Sequence, residues 1–368
     1  MEKSEQKKDF NEPISLDNFL TICVLGKGAY AKVLLVRRKD TGHLYAMKIL
    51  SKKLVFERNQ IKHVITERAV LAQMNNCPFL VRFYHAFQTP KKLFFVLEYC
   101  PGGELFTLIQ RQRRLTESQA RFITCQIILA LEALHKNGII YRDLKPENVL
   151  ICADGYVKIT DFGLSRTGVD GDDVKSFCGT PEYLAPEVIC QLPYGRAVDW
   201  WTLGCLIFEM VSGIPPFFKS NRNELFEGIK FENPKLAISL SKECRMLIAG
   251  LLTKDPAKRH GSRGASEIKN HPWFSGVNWS YVMAKKYEAP FKTTLGNSYG
   301  IENFAVEFTR LNPESPDRSE NIDTQNRQLS NFSYNVESMS HEDRGKDKEA
   351  GVHLKQSTSH ENSEIVNE

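Results

Sequence analysis

The sequence predicts an α+β chain in two lobes, a small sheet lobe followed by a larger helical lobe. Three observations predict it. Between Phe19 and Glu98 five short runs, FLTICVL, AKVLLVR, LYAMKIL, LVRFYHAF and LFFVLE, have strand character and are separated by turn breaks. One helical interruption falls between the third and fourth, where IKHVITERAVLA sets Ile61, Val64, Ile65, Leu71 and Ala72 on one side of a helical wheel. After Gly102-Gly103 the character changes to long helical patterns. A chain of 368 residues also exceeds what one hydrophobic core usually serves.

Residues 1–18 are polar and read as a loose arm. LGKGAYAKV, residues 25–33, joins the first two strand runs, which makes it a hairpin. That context argues against a dinucleotide fold, whose glycines open a helix, and the GK[ST] ending of a Walker motif is missing. Gly26 and Gly28 would let backbone N–H groups approach phosphates, although a ligand-free Gly-rich hairpin fits the same residues. Lys48 lies in the third run and Glu67 on the shoulder of the helical stripe, so the two could meet as an ion pair. A buried lysine needs such a partner because an unpaired ammonium is costly to desolvate; a solvated edge lysine is the plainer alternative.

In the second lobe Thr116 to Gln119 forms a capping box that opens a helix through FITCQIILALEALHK, and Gly138 closes it. WWTLGCLIFEMVSG reads as a second, buried helix. From about Asn312 apolar residues thin out and Ser, Asn, Glu and Asp dominate, which predicts disorder broken only by short apolar anchors. No internal repeat is present.

Charge divides along the chain. Pro313 to Glu368 holds 6 basic and 12 acidic residues, a net of −6, so the overall +5 leaves +11 on residues 1–312. A basic body suggests anionic partners, nucleotide phosphates or nucleic acid; with no recognised binding module or Lys/Arg-rich run, nucleic acid is not expected. The nine cysteines include no CxxC and mostly sit in apolar runs, a reduced, intracellular pattern. The nine histidines lack zinc spacing, so any metal is expected to arrive with a ligand. No apolar stretch reaches the roughly 18 residues of a membrane span, the start lacks a signal-peptide core, and no lipidation motif is present.

YRDLKPENVLICADGYVKITDFG, residues 141–163, gathers the chemistry. Phosphoryl transfer asks the protein for in-line positioning and for cations set against phosphate charge. Asp143 can orient an attacking hydroxyl and accept its proton, Lys145 can steady the transferred group, and Asn148 with Asp161 can offer oxygens to magnesium.

With GKGAYAKV, AMK, the inward Glu67, YRDLKPEN, DFG, Ala185 to Glu187 (APE) and DWWTLG in order, residues 19–274 resemble a eukaryotic protein kinase domain. More narrowly the chain is similar to the AGC family on its Akt, SGK and RSK side. That likeness rests on YRD, SFCGTPEYLAPE, HPWF at 271–274 and the tail pieces NFAVEFTRLNPESP and LSNFSY. The resemblance implies a bilobal fold with an antiparallel sheet at 19–98, a helical lobe at 103–274, a family tail at 275–336 and a disordered acidic tail at 337–368.

By that resemblance the chain is a Ser/Thr protein kinase using ATP and Mg2+. Pseudokinase scaffolds commonly lose one of Lys48, Asp143, Asn148 and Asp161, and all four are present. Leu25, Gly26, Lys27, Gly28, Ala29, Tyr30, Ala31, Lys32 and Val33 would cover the phosphates. Adenine would lie between Val33 and Ala46 above and Leu150 below, bonded to the backbone of Glu98 and Cys100, with Leu97 as gatekeeper and Thr160 at the edge. Lys48 would grip the α- and β-phosphates while Glu67 holds it; Asp161 and Asn148 would bind magnesium, with Asp143 as base and Lys145 beside it. Glu187 is expected to pair with Arg259 in a structural role.

Glu104, Glu147 and Glu209, with Thr180, match substrate-binding positions of relatives that read arginine upstream of the acceptor. Ser176 stands at the activation-loop phosphosite, where an upstream kinase would act, with His63, Arg142 and Arg166 placed to receive the phosphate. Ser315 and Ser333 match tail phosphosites, and Phe332 and Tyr334 would anchor in a groove beside the Glu67 helix. Ala31, Leu329, Ala305 and Thr293 depart from the family pattern, which implies weaker tail docking and a modest effect in the phosphate loop. A monomer is expected, intracellular and cytoplasmic, with the nucleus also open.

Overall fold

The structure, a computed structural model, describes residues 14–28, 31–168, 174, 176–291, 299–313 and 328–336. Its first lobe is built on β1 (Phe19–Lys27), β2 (Ala31–Arg38), β3 (Leu44–Ser51), α1 (Lys52–Glu57), α2 (Ile61–Gln73), β4 (Phe83–Gln88) and β5 (Lys92–Glu98). The second holds α3 (Leu105–Gln112), α4 (Glu117–Lys136), β6 (Val149–Ile151), β7 (Val157–Ile159), α5 (Pro186–Ile189), α6 (Ala197–Ser212), α7 (Arg222–Phe231), α8 (Lys242–Leu251), α9 (Ala265–Lys269) and α10 (Trp279–Met283). The tail adds α11 (Val306–Thr309) and β8 (Tyr334–Asn335).

KLFFVLE shows why this lobe is a sheet. β5 lies between β3 and β4, and its alternating side chains supply two different cores. Phe94 and Val96 join Phe19, Met47 and Phe87 on one face, while Phe95 and Leu97 join Phe83 and the α2 residues Val64, Val70 and Leu71 on the other. The strand order is β1-β2-β3-β5-β4-β8, and each pairing is antiparallel. The run LVRFYHAF starts its strand later than its composition suggests. Leu80 forms an isolated bridge to Ile159 and Val81 N–H donates to Ile159 O at 3.0 Å, so these residues tie the first lobe to β7 before β4 begins.

Helix ends follow the sequence signals. Thr116 caps α4 reciprocally with Gln119, and Gly138 leaves it at φ 68°. α6 is almost wholly buried and stops at Gly213, whose φ of 87° suits glycine; a Cβ there would sit 2.1 Å from the Arg113 carbonyl oxygen. All nine cysteines are free thiols. Among the described residues no helix is long and apolar enough to cross a membrane. At the other end of the described chain, Ile14 packs against the Phe19 cluster and Leu16–Asn18 form a 3-10 turn, so the expected loose arm is ordered from residue 14.

The tail returns to the first lobe. β8 pairs with β4, matching His85 with Asn335 and Ala86 with Tyr334. Phe332 and Tyr334 are buried; Phe332 meets Phe95 edge-on at 5.2 Å and Tyr334 stacks on Phe83 at 4.3 Å. Gln88 donates to Leu329 O at 2.9 Å and accepts from Leu329 N–H at 3.1 Å. Thus Leu329 docks through both its backbone bonds to Gln88 and its side chain, which packs against the main core.

Candidate active site

Lys48 sits mid-β3, flanked in register by Val33 and Phe95, and its Nζ lies 2.6 Å from Glu67 Oε1 and 3.4 Å from Asp161 Oδ1. Glu67 is buried; burial pushes its carboxyl pKa up while Lys48 opposes the shift. Asp161 goes the other way, because the neighbouring ammonium holds its pKa below the usual carboxylate range. Its φ of 59° is left-handed, a conformation that a non-glycine residue keeps only where its surroundings impose it. Gly163 N–H donates to Asp161 Oδ1 at 3.3 Å and contributes to that restraint.

Asp143 lies on the segment before β6, which Asp199 holds from below. The fully buried Asp199 accepts N–H bonds from Tyr141 at 2.9 Å and Arg142 at 2.8 Å and contacts His135 Nε2 at 2.7 Å. Arg142 thereby keeps a left-handed φ of 68°. Asn148 Nδ2 donates to Asp143 O and Oδ2, both at 2.8 Å. Lys145 Nζ stands 3.4 Å from Asp143 Oδ2 and donates to Thr180 Oγ1 at 3.0 Å; that hydroxyl lies 3.4 Å from Asp143 Oδ1. Burial raises the Asp143 pKa, with Lys145 and Asn148 opposing and Asp161 adding to it. Three carboxylates, those of Glu67, Asp143 and Asp161, and two ammonium groups, 113 residues apart at the extremes of Lys48 and Asp161, thus converge between the lobes.

The donor set suits magnesium. Asn148 uses its amide nitrogen on Asp143, leaving the amide oxygen as the ligand it can offer, and the Asp161 side chain is 49% exposed. One carboxylate and one amide oxygen match a cation that takes few protein ligands and completes its shell with phosphate and water. Among the described residues no group of three or more His, Cys, Asp or Glu could hold a metal by itself.

Around the cleft, Val33, Ala46, Leu25 and Phe304 belong to one apolar cluster, and Leu150 and Cys100 to the main core. Glu98 in β5 and buried Cys100 border it, and Thr160 O accepts from Tyr141 OH at 2.5 Å. Lys32 donates to Asn312 O and Pro313 O at 3.2 and 3.3 Å. Ala29, Tyr30, Thr293 and Ser315 lie outside the described residues.

The acidic positions form one electrostatic group. Burial raises the pKa of Glu104, with Glu147 adding and Lys145 opposing. Glu209 is pushed up to about 7, first by burial and further by Glu147 and Glu182, while the Tyr183 hydroxyl that donates to it opposes. Ser176 Oγ accepts from Arg142 Nη1 at 2.5 Å and lies 3.1 Å from Tyr194 OH. His63 turns to Gln60 Oε1 at 2.7 Å, and Arg166 pairs through its backbone with Ile140 while its side chain is exposed. Of the three expected cations, Arg142 is the one that reaches this hydroxyl. Deeper in the lobe, Arg259 and Glu187 pair in bidentate fashion at 2.6 and 2.8 Å.

Several partners escaped the sequence reading. Asp199 was visible only inside DWWTLG, Thr180 gave no sign of its contact with Asp143, and Tyr194 lies 18 residues from Ser176, outside the SFCGTPEYLAPE stretch. Likewise, Tyr99 OH donates to Tyr299 O at 2.8 Å and Asn303 Nδ2 to Pro101 O at 2.9 Å, holding the tail across the connection between the lobes.

The family description “Protein kinase domain” matches residues 19–274. The chain belongs to the protein kinase domain family. Within it, this kinase-domain chain is 43% identical over 310 residues to the serine/threonine-protein kinase YPK1 of Saccharomyces cerevisiae, covering 84% of this chain and 45% of that protein. It is 42% identical over 304 residues to the serine/threonine-protein kinase gad8 of Schizosaccharomyces pombe, covering 82% and 53%. The RAC-beta serine/threonine-protein kinase of Homo sapiens is 44% identical over 314 residues, covering 84% and 65%. These relatives are AGC kinases, the group that the sequence resembles. The chain spans between 45% and 65% of their lengths.

Proposed function

We propose that this chain is an ATP-dependent Ser/Thr protein kinase that phosphorylates proteins carrying basic residues upstream of the acceptor. The convergence of the Lys48–Glu67–Asp161 group with Asp143, Lys145, Asn148 and Thr180 carries the reading. The acceptor hydroxyl oxygen would attack the γ-phosphorus of ATP as the bond to the ADP oxygen breaks, and Asp143 would orient the hydroxyl and take its proton. Oδ2 of Asp143 is fixed by Asn148, so a single geometry faces the substrate. Lys145, bonded to Thr180, would steady the moving phosphoryl oxygens, and Lys48 the α- and β-phosphates. Magnesium, when bound, would supply charge against the phosphate oxygens, held by Asp161 and Asn148.

Leu25 to Val33 would close over the phosphates, and Ala46, Leu97, Glu98, Cys100, Leu150 and Thr160 would form the adenine site. Glu104, Glu147 and Glu209 would read arginines, a role supported by their shared electrostatic group. Phosphorylation of Ser176 by an upstream kinase would draw His63, Arg142 and Arg166 together and seat α2, with Ser315 and Ser333 as further sites. In this reading the chain acts as an intracellular, cytoplasmic or nuclear monomer, with 19–274 as catalytic unit, 275–336 as regulatory tail, and flanks at 1–18 and 337–368.

The test is phosphate transfer from magnesium-ATP to serine peptides with and without upstream arginine. Wild type should label the arginine peptide while Asp143→Asn does not. Equal labelling by both proteins would overturn the catalytic reading, and indifference to arginine would overturn the specificity.

A further inference from the structure

We propose that Lys158 is a positioning residue for the nucleotide site: its buried ammonium ties Glu98 to the β6–β7 hairpin and so fixes where adenine is received. The inference rests on the kinase reading and deepens its nucleotide site. Lys158 Nζ lies 2.7 Å from Glu98 Oε2, in a pair whose side chains are 9% and 26% exposed. The same Glu98 oxygen accepts Arg82 N–H at 3.1 Å, and Glu98 N–H donates to Arg82 O at 2.9 Å. Glu98 is therefore held by backbone on one side and by Lys158 on the other.

The ammonium is also within 3.5 Å of Leu80 O, next to the Leu80 and Val81 contacts with Ile159. One cation thus joins three segments where the lobes meet: the stretch before β4, the end of β5, and β7. Its register partner on β6 is Leu150, the expected floor of the adenine site, so a single residue lies opposite that floor and pairs with Glu98. Cys100 Sγ and Cys152 Sγ lie 3.7 Å apart in the same region and add apolar packing from the connecting segment. Burial alone would push the Lys158 pKa down; the Glu98 carboxylate, by charge and hydrogen bond, outweighs it, so the net shift is upward and the ammonium stays charged at neutral pH.

Lys158 makes none of the contacts described for Lys48, Asp143, Asn148 or Asp161. Its loss should therefore displace adenine without altering the group that handles the phosphates, which raises KM at constant kcat.

Calorimetric binding of adenosine and of ADP, alongside steady-state kinetics, tests this. Lys158→Met should weaken both ligands by the same factor, about five- to tenfold, and raise KM for ATP equally, with kcat within about twofold. Lys158→Arg should recover most of the affinity. Glu98→Gln, which preserves side-chain shape, should give a similar loss and add little in combination with Lys158→Met, and it carries the test if Lys158→Met does not fold. Unchanged adenosine affinity in both variants, or a fall in kcat at constant KM, would overturn the inference alone. A wild-type protein that binds no adenosine would overturn the kinase reading together with it.

Discussion

The hydroxyl of Tyr183 donates to Oε2 of Glu209, and the acid that receives it is buried within the field of Glu147 and Glu182. With its pKa near 7, Glu209 is largely protonated below that value and charged above it. In the proposed reading, an arginine would pair with the charged form. The KM for an arginine peptide should therefore fall by about tenfold between about pH 6 and about pH 8, while the KM for ATP stays level. Glu209→Gln should remove the pH dependence, and a persistent slope in that variant would assign it elsewhere.

Lys48→Met should lower kcat by at least about a hundredfold. The thermal midpoint should change little. Glu67, left without its ammonium in a buried position that already raises its pKa, can take up a proton instead of remaining as an unpaired charge. Melting curves beside turnover numbers separate the two effects.

Ser176→Ala should erase activation by an upstream kinase, a loss of about tenfold or more against treated wild type. Arg142→Ala should have the same consequence, since Arg142 already reaches the Ser176 hydroxyl at 2.5 Å. Equal rates for treated wild type and Ser176→Ala would rule the site out.

The Arg259–Glu187 pair predicts a stability effect distinct from chemistry. Both side chains are almost fully buried, so Arg259→Met leaves a carboxylate without its cation and should cost about 3–5 kcal/mol of unfolding free energy. Denaturant titration measures it. Replacing both partners with apolar residues should recover much of the loss.

How much was legible depended on how each signal is encoded. Strands, the α4 capping box and the Gly138 stop are local: they follow from period, cap and φ, and the sequence carries them at fixed offsets. The inward turn of Glu67 was readable for the same reason, since its place on a helical wheel is set by neighbours. Lys158 with Glu98 was not, because they are 60 residues apart and each looks like an ordinary solvated charge until the lobes close over them. Asp199 under the Asp143 segment belongs to the same class. The shift in the start of β4 has a related cause: Leu80 and Val81 have strand composition, but their partner, Ile159, lies in the other lobe.

Phe332→Ala should lower both stability and activity, the former by about 3–5 kcal/mol as its place beside Phe95 empties. Removal of everything after Asn312 should reduce turnover sharply, and an unaffected rate would separate the tail from catalysis.

The seating of β8 against β4 also has a bearing on solubility. Detachment of that last strand would bare a row of unsatisfied amides and carbonyls at the margin of the sheet, a template on which another polypeptide could add. On that argument the tail would guard against self-association, and a shortened protein should gain light scattering on standing even at temperatures where it stays folded.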